Sequence, residues 1–149
     1  MATITRIREL EPRALERLRV ESSQEGFRFI QRLCDEWASG ANRFDAPGEA
    51  LFVAMADEKV VGVCGLNCDP YANDPRIGRI RRLYVSPSHR RRGVGRALLE
   101  SAVASARGHF RLLRVRTEIA NEFFAAQGFG IASEAMATHV LDLGRALSP

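Results

Sequence analysis

The stretch "LYVSPSHRRRGVGRALLE", residues 83–100, joins a strand-like run to a helix-like run through a corner rich in arginine and glycine. The apolar alternation of residues 79–85 predicts a strand, which Pro87 ends. Apolar residues then recur at helical spacing over 94–107, and residues 111–116 again resemble a strand. Two strands joined by a helix predict a right-handed parallel crossover, with a ligand crevice at the carboxyl ends of the strands.

The segments outside this unit complete an α/β (α+β) fold, a mixed sheet with helices packed on it, in the order β-α-α-β-β-β-α-β-α-β. No repeat or linker interrupts the chain, so residues 1–149 are expected to form one domain. The remaining predicted elements are a strand at 3–10, a helix at 11–23 that continues helically over 25–40, a hairpin of 51–55 and 60–67, a short helix at 122–127 and a closing strand at 137–143.

Positive charge is concentrated in one segment. Between Asp74 and Glu100 the chain has no acidic residue but contains eight of its 22 basic residues, so the other 14 are outnumbered by 18 acidic ones. The eight are Arg76, Arg79, Arg81, Arg82, Arg90, Arg91, Arg92 and Arg96. A local concentration of this kind indicates a local anionic ligand rather than general adhesion to polyanions.

Cysteine and histidine content argues against disulfides and metal sites. The chain has three cysteines, an odd number that suits a reducing compartment. Cys64 and Cys68 fall in one predicted strand, about 13 Å apart, which is too far for a disulfide or a shared zinc. His89, His109 and His139 are scattered singly, so no metal site is predicted. The N-terminus lacks the apolar run of a signal peptide, and the predicted location is the cytoplasm.

The arginine- and glycine-rich corner has the features of a phosphate cradle. A helix beginning near Val94 presents unpaired N–H groups and the positive end of its dipole, while Gly93 and Gly95 allow close approach to the backbone. Two well-known phosphate loops do not fit. No lysine follows the second glycine, as a Walker A loop requires, and Leu98 stands where a dinucleotide fingerprint has its third glycine.

The corner resembles the central motif of the GCN5-related N-acetyltransferases, R/Q-x-x-G-x-G/A, which here reads Arg90-x-x-Gly93-x-Gly95. "EFFAAQGF" is similar to the family's F-Y-x-x-x-G-F helix, and "LFVAMADEKVVGVCGL" is similar to its central hairpin. Together these pieces cover roughly residues 50–130. The resemblance implies a mostly antiparallel central sheet with helices on both faces, in which strand 79–85 splays from strand 111–116.

The same resemblance implies acetyl-CoA as acyl donor, without a metal, and direct acetyl transfer to a primary amine of a small molecule or peptide. Amides across Arg91–Arg96 would hold the pyrophosphate, the pantetheine arm would pair with Leu83–Val85, and the Val85 N–H would polarise the thioester carbonyl. The residues expected at the CoA site are Leu83, Tyr84, Val85, Arg90, Arg91, Arg92, Gly93, Val94, Gly95, Arg96, Thr117, Asn121 and Phe124.

The catalytic positions depart from the family pattern. Phe124 stands where members often have a tyrosine that protonates the leaving thiolate, and Thr117 stands where they often have an asparagine. Asn121 is nearby but does not match by position. Tyr84 could supply a hydroxyl, although its place in the strand also suits the core. Glu118 is the nearest acidic candidate for the general base.

Two arginines raise a hypothesis about the acceptor. If Arg79 or Arg81 faces the acceptor cleft, an amine that carries a carboxylate or phosphate is favoured over a polycation such as spermidine; the alternative is a solvated edge. The loop of residues 67–76, with Asp69, Tyr71, Asn73 and Asp74, either rims that site or is an ordinary polar turn.

Two other functions stay open. A non-catalytic acyl-CoA sensor would explain Phe124. A nucleic-acid-binding domain would use the arginines, but Tyr84 alone offers a base-stacking aromatic near them, which argues against that partner. No stretch approaches the roughly 20 apolar residues of a membrane span, and whether the chain forms a homodimer is left open.

Overall fold

A computed structural model describes residues 2–144 of the chain, with seven strands and four α-helices in that range. The strands are β1 Thr3–Ile7, β2 Ala50–Ala56, β3 Lys59–Cys68, β4 Ile77–Val85, β5 Leu112–Val115, β6 Gly130–Glu134 and β7 Ala137–Asp142. The helices are α1 Glu16–Gln24, α2 Phe29–Ser39, α3 Val94–Ala106 and α4 Asn121–Ala126, and short 3-10 turns cover Pro12–Leu15 and Pro87–His89. Among residues 2–144, no helix is both long enough and apolar enough to cross a bilayer.

The strands form one mixed sheet in the order β1-β2-β3-β4-β5-β7-β6. Over the described residues β4 and β5 are the parallel pair, and every other neighbouring pair is antiparallel. The predicted β4-α3-β5 unit is therefore present within a few residues of its expected bounds, and the expected mixed, mostly antiparallel sheet is confirmed.

Helices cover both faces of the sheet, as expected. On one face, α3 buries Leu98, Ala102 and Ala106, which are fully inaccessible, and α4 adds Phe124. On the other face, α1 and α2 bury a second cluster that includes Leu18, Ile30 and Leu33. Each large aliphatic side chain removed from water contributes about 1.5–3 kcal/mol, so the two clusters hold the sheet between two helical layers.

Two sequence predictions were wrong at the level of elements. The strand β6 was missed because it is a short edge strand whose residues are mostly exposed, with Ile131 80% exposed, so that no buried alternation marks it. The helical reading of residues 25–40 also begins too early. Gly26 adopts φ +88°, a conformation that interrupts the helical path between the end of α1 and the beginning of α2 at Phe29.

Candidate active site

The parallel strands β4 and β5 stay together for only three residue pairs, Ile77–Arg79 against 112–114. Beyond Arg79 they diverge, which confirms the predicted splay. The gap leads into a cleft of about 1520 Å³. Its walls are the second half of β4, the beginning of α3 and the segment 115–127 after β5. The cleft therefore lies where the sheet edge of β4 has lost its neighbour.

A β-bulge interrupts β4 in the wall of this cleft. The register with β3 pairs Tyr84 with Val63 but Arg81 with Gly65, so β4 carries one extra residue between these pairs. Arg82, in the extra position, adopts φ +60°, a left-handed conformation that costs a non-glycine residue about 1–2 kcal/mol. Its Nη2 donates a 2.8 Å hydrogen bond to Oε1 of Glu36 on α2, which helps to hold the conformation.

The bulge reverses which face each β4 side chain occupies. In a regular strand, residues four apart share a face, yet Ile80 belongs to the α3-side core and Tyr84 to the α1/α2-side core. Upstream of the bulge, Arg79 and Arg81 alternate with Ile80 and therefore point away from α3. The two halves of the strand thus present different sets of side chains to the cleft.

The backbone of Val85 faces away from β3. Ser86 N–H donates to Val61 O at 2.8 Å, which makes 86/61 a hydrogen-bonded pair of the antiparallel ladder. The next pair, Val85 with Gly62, is then of the non-hydrogen-bonded kind, whose N–H and C=O groups point outward. The carbonyl of Val85 indeed accepts a 3.0 Å bond from Nε of Arg90. Because β5 has diverged here, the Val85 N–H is directed toward the cleft.

The glycine corner begins α3. Gly93 adopts φ +80° immediately before the helix, and Ala97 N–H donates to Gly93 O at 3.0 Å as the first helical bond. The amides of Val94, Gly95 and Arg96 precede Ala97 and therefore have no partner within the helix. These are the groups from which the sequence predicted an anion cradle.

Gly95 occupies the narrow passage between the two walls of the cleft. A Cβ built on it would lie 3.6 Å from Cγ2 of Val85 and 3.7 Å from the ring of Phe123, with no steric overlap. Gly95 and both neighbours line the cleft. The missing side chain therefore leaves free the space that joins the α3 amides to the edge of β4.

Arg90 is held by protein groups. Its guanidinium makes two hydrogen bonds to the Glu25 carboxylate, at 2.7 and 2.8 Å, besides the bond to Val85 O. Tyr84, which is 4% exposed, donates its hydroxyl to the same carboxylate. The hydrogen bonds from Arg90 and Tyr84 lower the pKa of Glu25, and burial raises that of Tyr84. The cluster ties the loop before α3 to the end of α1.

The other loop arginines differ in their surroundings. Arg91, at φ +63°, lines the cleft, whereas Arg92 is exposed and not part of its lining. Nε of Arg96 donates to Glu100 at 2.8 Å, one helical turn away. Contacts of Arg90, Arg91, Arg92 and Arg96 with a phosphate stay predictions.

Thr117 starts the opposite wall. Its N–H donates to Oγ1 of Thr138, and its own Oγ1 accepts from the amides of Ile119 and Ala120 at 3.3 and 3.0 Å. The hydroxyl thus shapes the turn into α4, on whose first turn Asn121 is exposed. Both segments of this wall, the Thr117 turn and α4 with Asn121, line the cleft.

The two predicted catalytic positions on this wall have opposite environments. Phe124 is 3% exposed and packs edge-on against Phe123 and Phe129 while lining the cleft. Glu118 also lines the cleft, but its side chain is 79% exposed, and its carboxylate lies 3.7 Å from Nη2 of Arg116.

At the far end of the cleft, Arg79 and Arg81 line the wall formed by β4. Arg79 is 6% exposed, so the solvated-edge alternative does not hold for it. It lies 3.6 Å from Asp69 and 4.9 Å from the centre of the Tyr71 ring. Tyr71 lines the cleft, so the loop of residues 67–76 does contribute to its rim.

Sequence reasoning missed the contribution of the connection between α1 and α2. Glu25, Phe27, Phe29 and Arg32 all line the cleft. Gly26, directly before Phe27 and Phe29, was the available signal, since a glycine there favours a chain break that exposes aromatic residues to a neighbouring site.

Comparison with known proteins places these features in a wider group. The family model described as an acetyltransferase (GNAT) domain matches residues 47–131. An acetyltransferase from Exiguobacterium sp. 255-15 is 32% identical, with 95% of this chain and 93% of that chain aligned and a TM-score of 0.85.

Two structures with CoA bound also match. A GNAT-family N-acetyltransferase from Escherichia coli, solved with CoA, shares the fold at 16% identity and a TM-score of 0.71, over 97% of this chain and 82% of that one. N-acetylglutamate synthase from Neisseria gonorrhoeae, complexed with coenzyme A and L-arginine, is 26% identical over 64% of this chain, with a TM-score of 0.57. The match spans a quarter of the synthase.

Proposed function

Because the chain belongs to the GCN5-related N-acetyltransferase family, we propose that it transfers an acetyl group from acetyl-CoA directly to a primary amine of a small molecule or peptide. One observation carries the proposal. The unpaired amides that begin α3 and the outward-facing N–H of Val85 open on one cleft, and the glycine at 95 keeps the passage between them clear.

The residues of the cleft fit acetyl-CoA, which supplies the acetyl group as a thioester. The first amides of α3 and the positive end of its dipole suit a pyrophosphate. Gly93 provides the left-handed turn that aims these amides outward. Leu83 and Val85 lie on the strand edge that β5 has left, where an extended arm can add as a further strand.

Val85 is the proposed oxyanion donor. A backbone N–H fixed by a sheet ladder needs no reorganisation when charge develops on a carbonyl oxygen, and one such donor is worth roughly 10²–10³ in rate. Holding the amine against the thioester supplies most of the remaining acceleration, because transfer is then effectively unimolecular.

Proton transfer involves groups on the opposite wall. The attacking amine must be neutral, and Glu118 is the proposed base, acting from an exposed position through water. Phe124 has no hydroxyl, so water is the proposed source of the proton that the leaving thiolate takes up.

The test is product formation. The protein is incubated with acetyl-CoA and a mixed panel of primary amines, and N-acetylated products are identified by mass spectrometry alongside CoA release. The matched control is Gly95→Leu, whose side chain would fill the passage beside Val85. We expect products with the wild type and none above background with the variant; equal product from both would contradict the assignment of the cleft.

A non-catalytic acyl-CoA sensor is the second candidate, and the buried phenylalanine at position 124 favours it. Isothermal titration separates the two. Acetyl-CoA binding that Gly95→Leu abolishes, together with no product from any amine, identifies a sensor.

The nucleic-acid-binding alternative is less well supported. Arg82, Arg90 and Arg96 are each paired with a glutamate, which leaves fewer free cations for a nucleic-acid backbone.

A further inference from the structure

One end of the cleft contains arginine charge that the protein neutralises only in part. Arg82 is paired with Glu36 at 2.8 Å, and Arg116 lies 3.7 Å from Glu118. Arg81, which is half-buried and lines the cleft, has neither a hydrogen bond nor an ion pair from its guanidinium within residues 2–144. Withdrawing a charge from water without a partner is costly, so Arg81 is in a position that favours an incoming anion.

Arg79 adds a second, more deeply buried guanidinium beside it. Asp69 lies 3.6 Å from Arg79 and 3.8 Å from Arg114, so two arginines share one carboxylate. Nη1 of Arg79 is the atom that faces Asp69 at 3.6 Å, beyond hydrogen-bond distance, while the side chain is 93% inaccessible and still borders the cleft. A buried guanidinium with so long an ion pair is held in place by the fold, and its positive charge contributes to the wall of the cleft.

Both guanidinium groups remain cationic. Burial lowers the pKa of Arg79 and of Arg81 from the ordinary value, but a guanidinium starts so high that it stays charged at neutral pH. Part of the surrounding wall is apolar and aromatic, with Phe27, Phe29 and Met136 among its charged side chains. Such a wall lowers the local dielectric and strengthens the attraction of an anion.

The position of the arginines relative to Val85 limits the size of the ligand. Arg81 and Val85 are four strand residues apart, at most about 13 Å, and the bulge shortens this span. The side chain of Arg81, which lines the cleft, takes up part of that distance. The remaining gap suits an anionic group only a few bonds from the reacting amine.

We propose that the acceptor is a small primary amine that also carries a carboxylate or phosphate group, and that Arg81, supported by Arg79, binds this anion. The inference rests on the proposed acetyl transfer. It excludes polyamines and uncharged amines as preferred acceptors, because the cationic wall repels the former and gains nothing from the latter.

Matched acceptor pairs test the proposal. The value of kcat/KM is measured by CoA release for L-alanine against L-alaninamide, for phosphoethanolamine against ethanolamine, and for spermidine. We expect the anionic member of at least one pair to be preferred by about tenfold or more, and the pair that responds identifies carboxylate or phosphate. The amine of alaninamide is less basic than that of alanine, so a larger fraction of it is neutral and able to attack near neutral pH. A preference for alanine would therefore be opposite to the intrinsic reactivity of the two amines.

Variants assign the effect to Arg81. Arg81→Gln is expected to raise KM for the anionic acceptor and leave the neutral one unchanged, while Arg81→Lys retains part of the preference. Arg76→Gln is the matched control, because Arg76 is exposed, paired with Asp74 and outside the cleft. Equal kcat/KM within both pairs, preference for spermidine, or an equal loss for both members in Arg81→Gln would overturn the proposal.

The result also separates this inference from acetyl transfer itself. Turnover of neutral amines or spermidine without anion preference refutes the inference and leaves acetyl transfer standing. If no amine is acetylated, the proposed acetyl transfer is refuted, and the anion site is then tested by binding alone. N-acetylalanine and its amide are titrated into the CoA-bound protein, and binding is followed by NMR. Shifts specific to the acid that Arg81→Gln removes support the anion site, and their absence refutes it.

Discussion

Replacing Gly95 by alanine should raise stability and weaken CoA binding at the same time. The new Cβ would make ordinary contacts, 3.6 Å to Val85 and 3.7 Å to Phe123, and the residue lies in α3 at a negative φ. Alanine in place of glycine in a helix is worth about 0.5–1 kcal/mol. For a chain of this length that corresponds to a rise in Tm of roughly 1–4 °C.

The same methyl group occupies the space over the first amides of α3. If it prevents one charge-assisted hydrogen bond to the pyrophosphate, the loss is about 1.5–3 kcal/mol, or roughly 10- to 150-fold in Kd. Isothermal titration with CoA measures the affinity, and differential scanning calorimetry measures Tm.

Two other glycines serve as comparisons. Gly93→Ala should lower stability by about 1–2 kcal/mol, because φ is +80° and a side chain meets no atom within 4 Å, so that backbone strain alone acts. Gly108→Ala lies beyond the other end of α3 in open space and should leave CoA binding unchanged. Wild-type CoA affinity in Gly95→Ala would refute the reasoning about the passage, and a lower Tm would refute the reasoning about its fit.

Three further outcomes are expected. Glu25→Gln should lower Tm at neutral pH by weakening the bonds from Arg90 and Tyr84. Since the folded-state pKa of Glu25 is lowered, its stabilisation is present above the pKa of an unfolded glutamate and is lost as pH falls through the lowered value; a Tm difference that stays constant to low pH would contradict this. Glu118→Gln should lower kcat roughly 10²-fold and leave KM for acetyl-CoA unchanged; a wild-type kcat would remove Glu118 from the mechanism. Leu98→Ala should lower the free energy of unfolding by about 2–5 kcal/mol, because the side chain is fully buried. Urea unfolding measures this loss, and CoA affinity should be retained at temperatures below the Tm of the variant. A loss below about 1 kcal/mol would mean that the surroundings of Leu98 are poorly packed.

Local features of the sequence predicted the glycine corner and α3, because a turn and a helix N-terminus are encoded within a few neighbouring residues. The amphipathic repeat of Leu98, Ala102 and Ala106 correctly predicted the side of the helix that packs against the sheet. The parallel strand pair followed from the helix that connects the two strands, because a crossover of that length typically joins parallel strands.

Features that depend on distant residues could not be predicted in the same way. Arg82 adopts φ +60° because β3 and α2 hold it there, whereas "RIRRLYV" alone reads as an unbroken strand. The contact of Glu25 with Arg90 joins residues 65 positions apart, and no pattern within either segment indicates the other. The exposed strand β6 lacked the apolar alternation by which strands are recognised.

The bulge divides β4 into two parts, and the alternation of side chains in one part is independent of that in the other. Side chains before Arg82 and backbone groups after it are set by different alternations, so the proposed acceptor contacts at Arg79 and Arg81 can be exchanged without turning Val85 away from the donor. Deleting Arg82 would remove the bulge and restore one continuous alternation along β4. The side chains after position 82 would then move to the opposite face of the sheet. A protein engineer who wishes to change the acceptor should therefore substitute residues upstream of Arg82 and leave the length of the strand untouched.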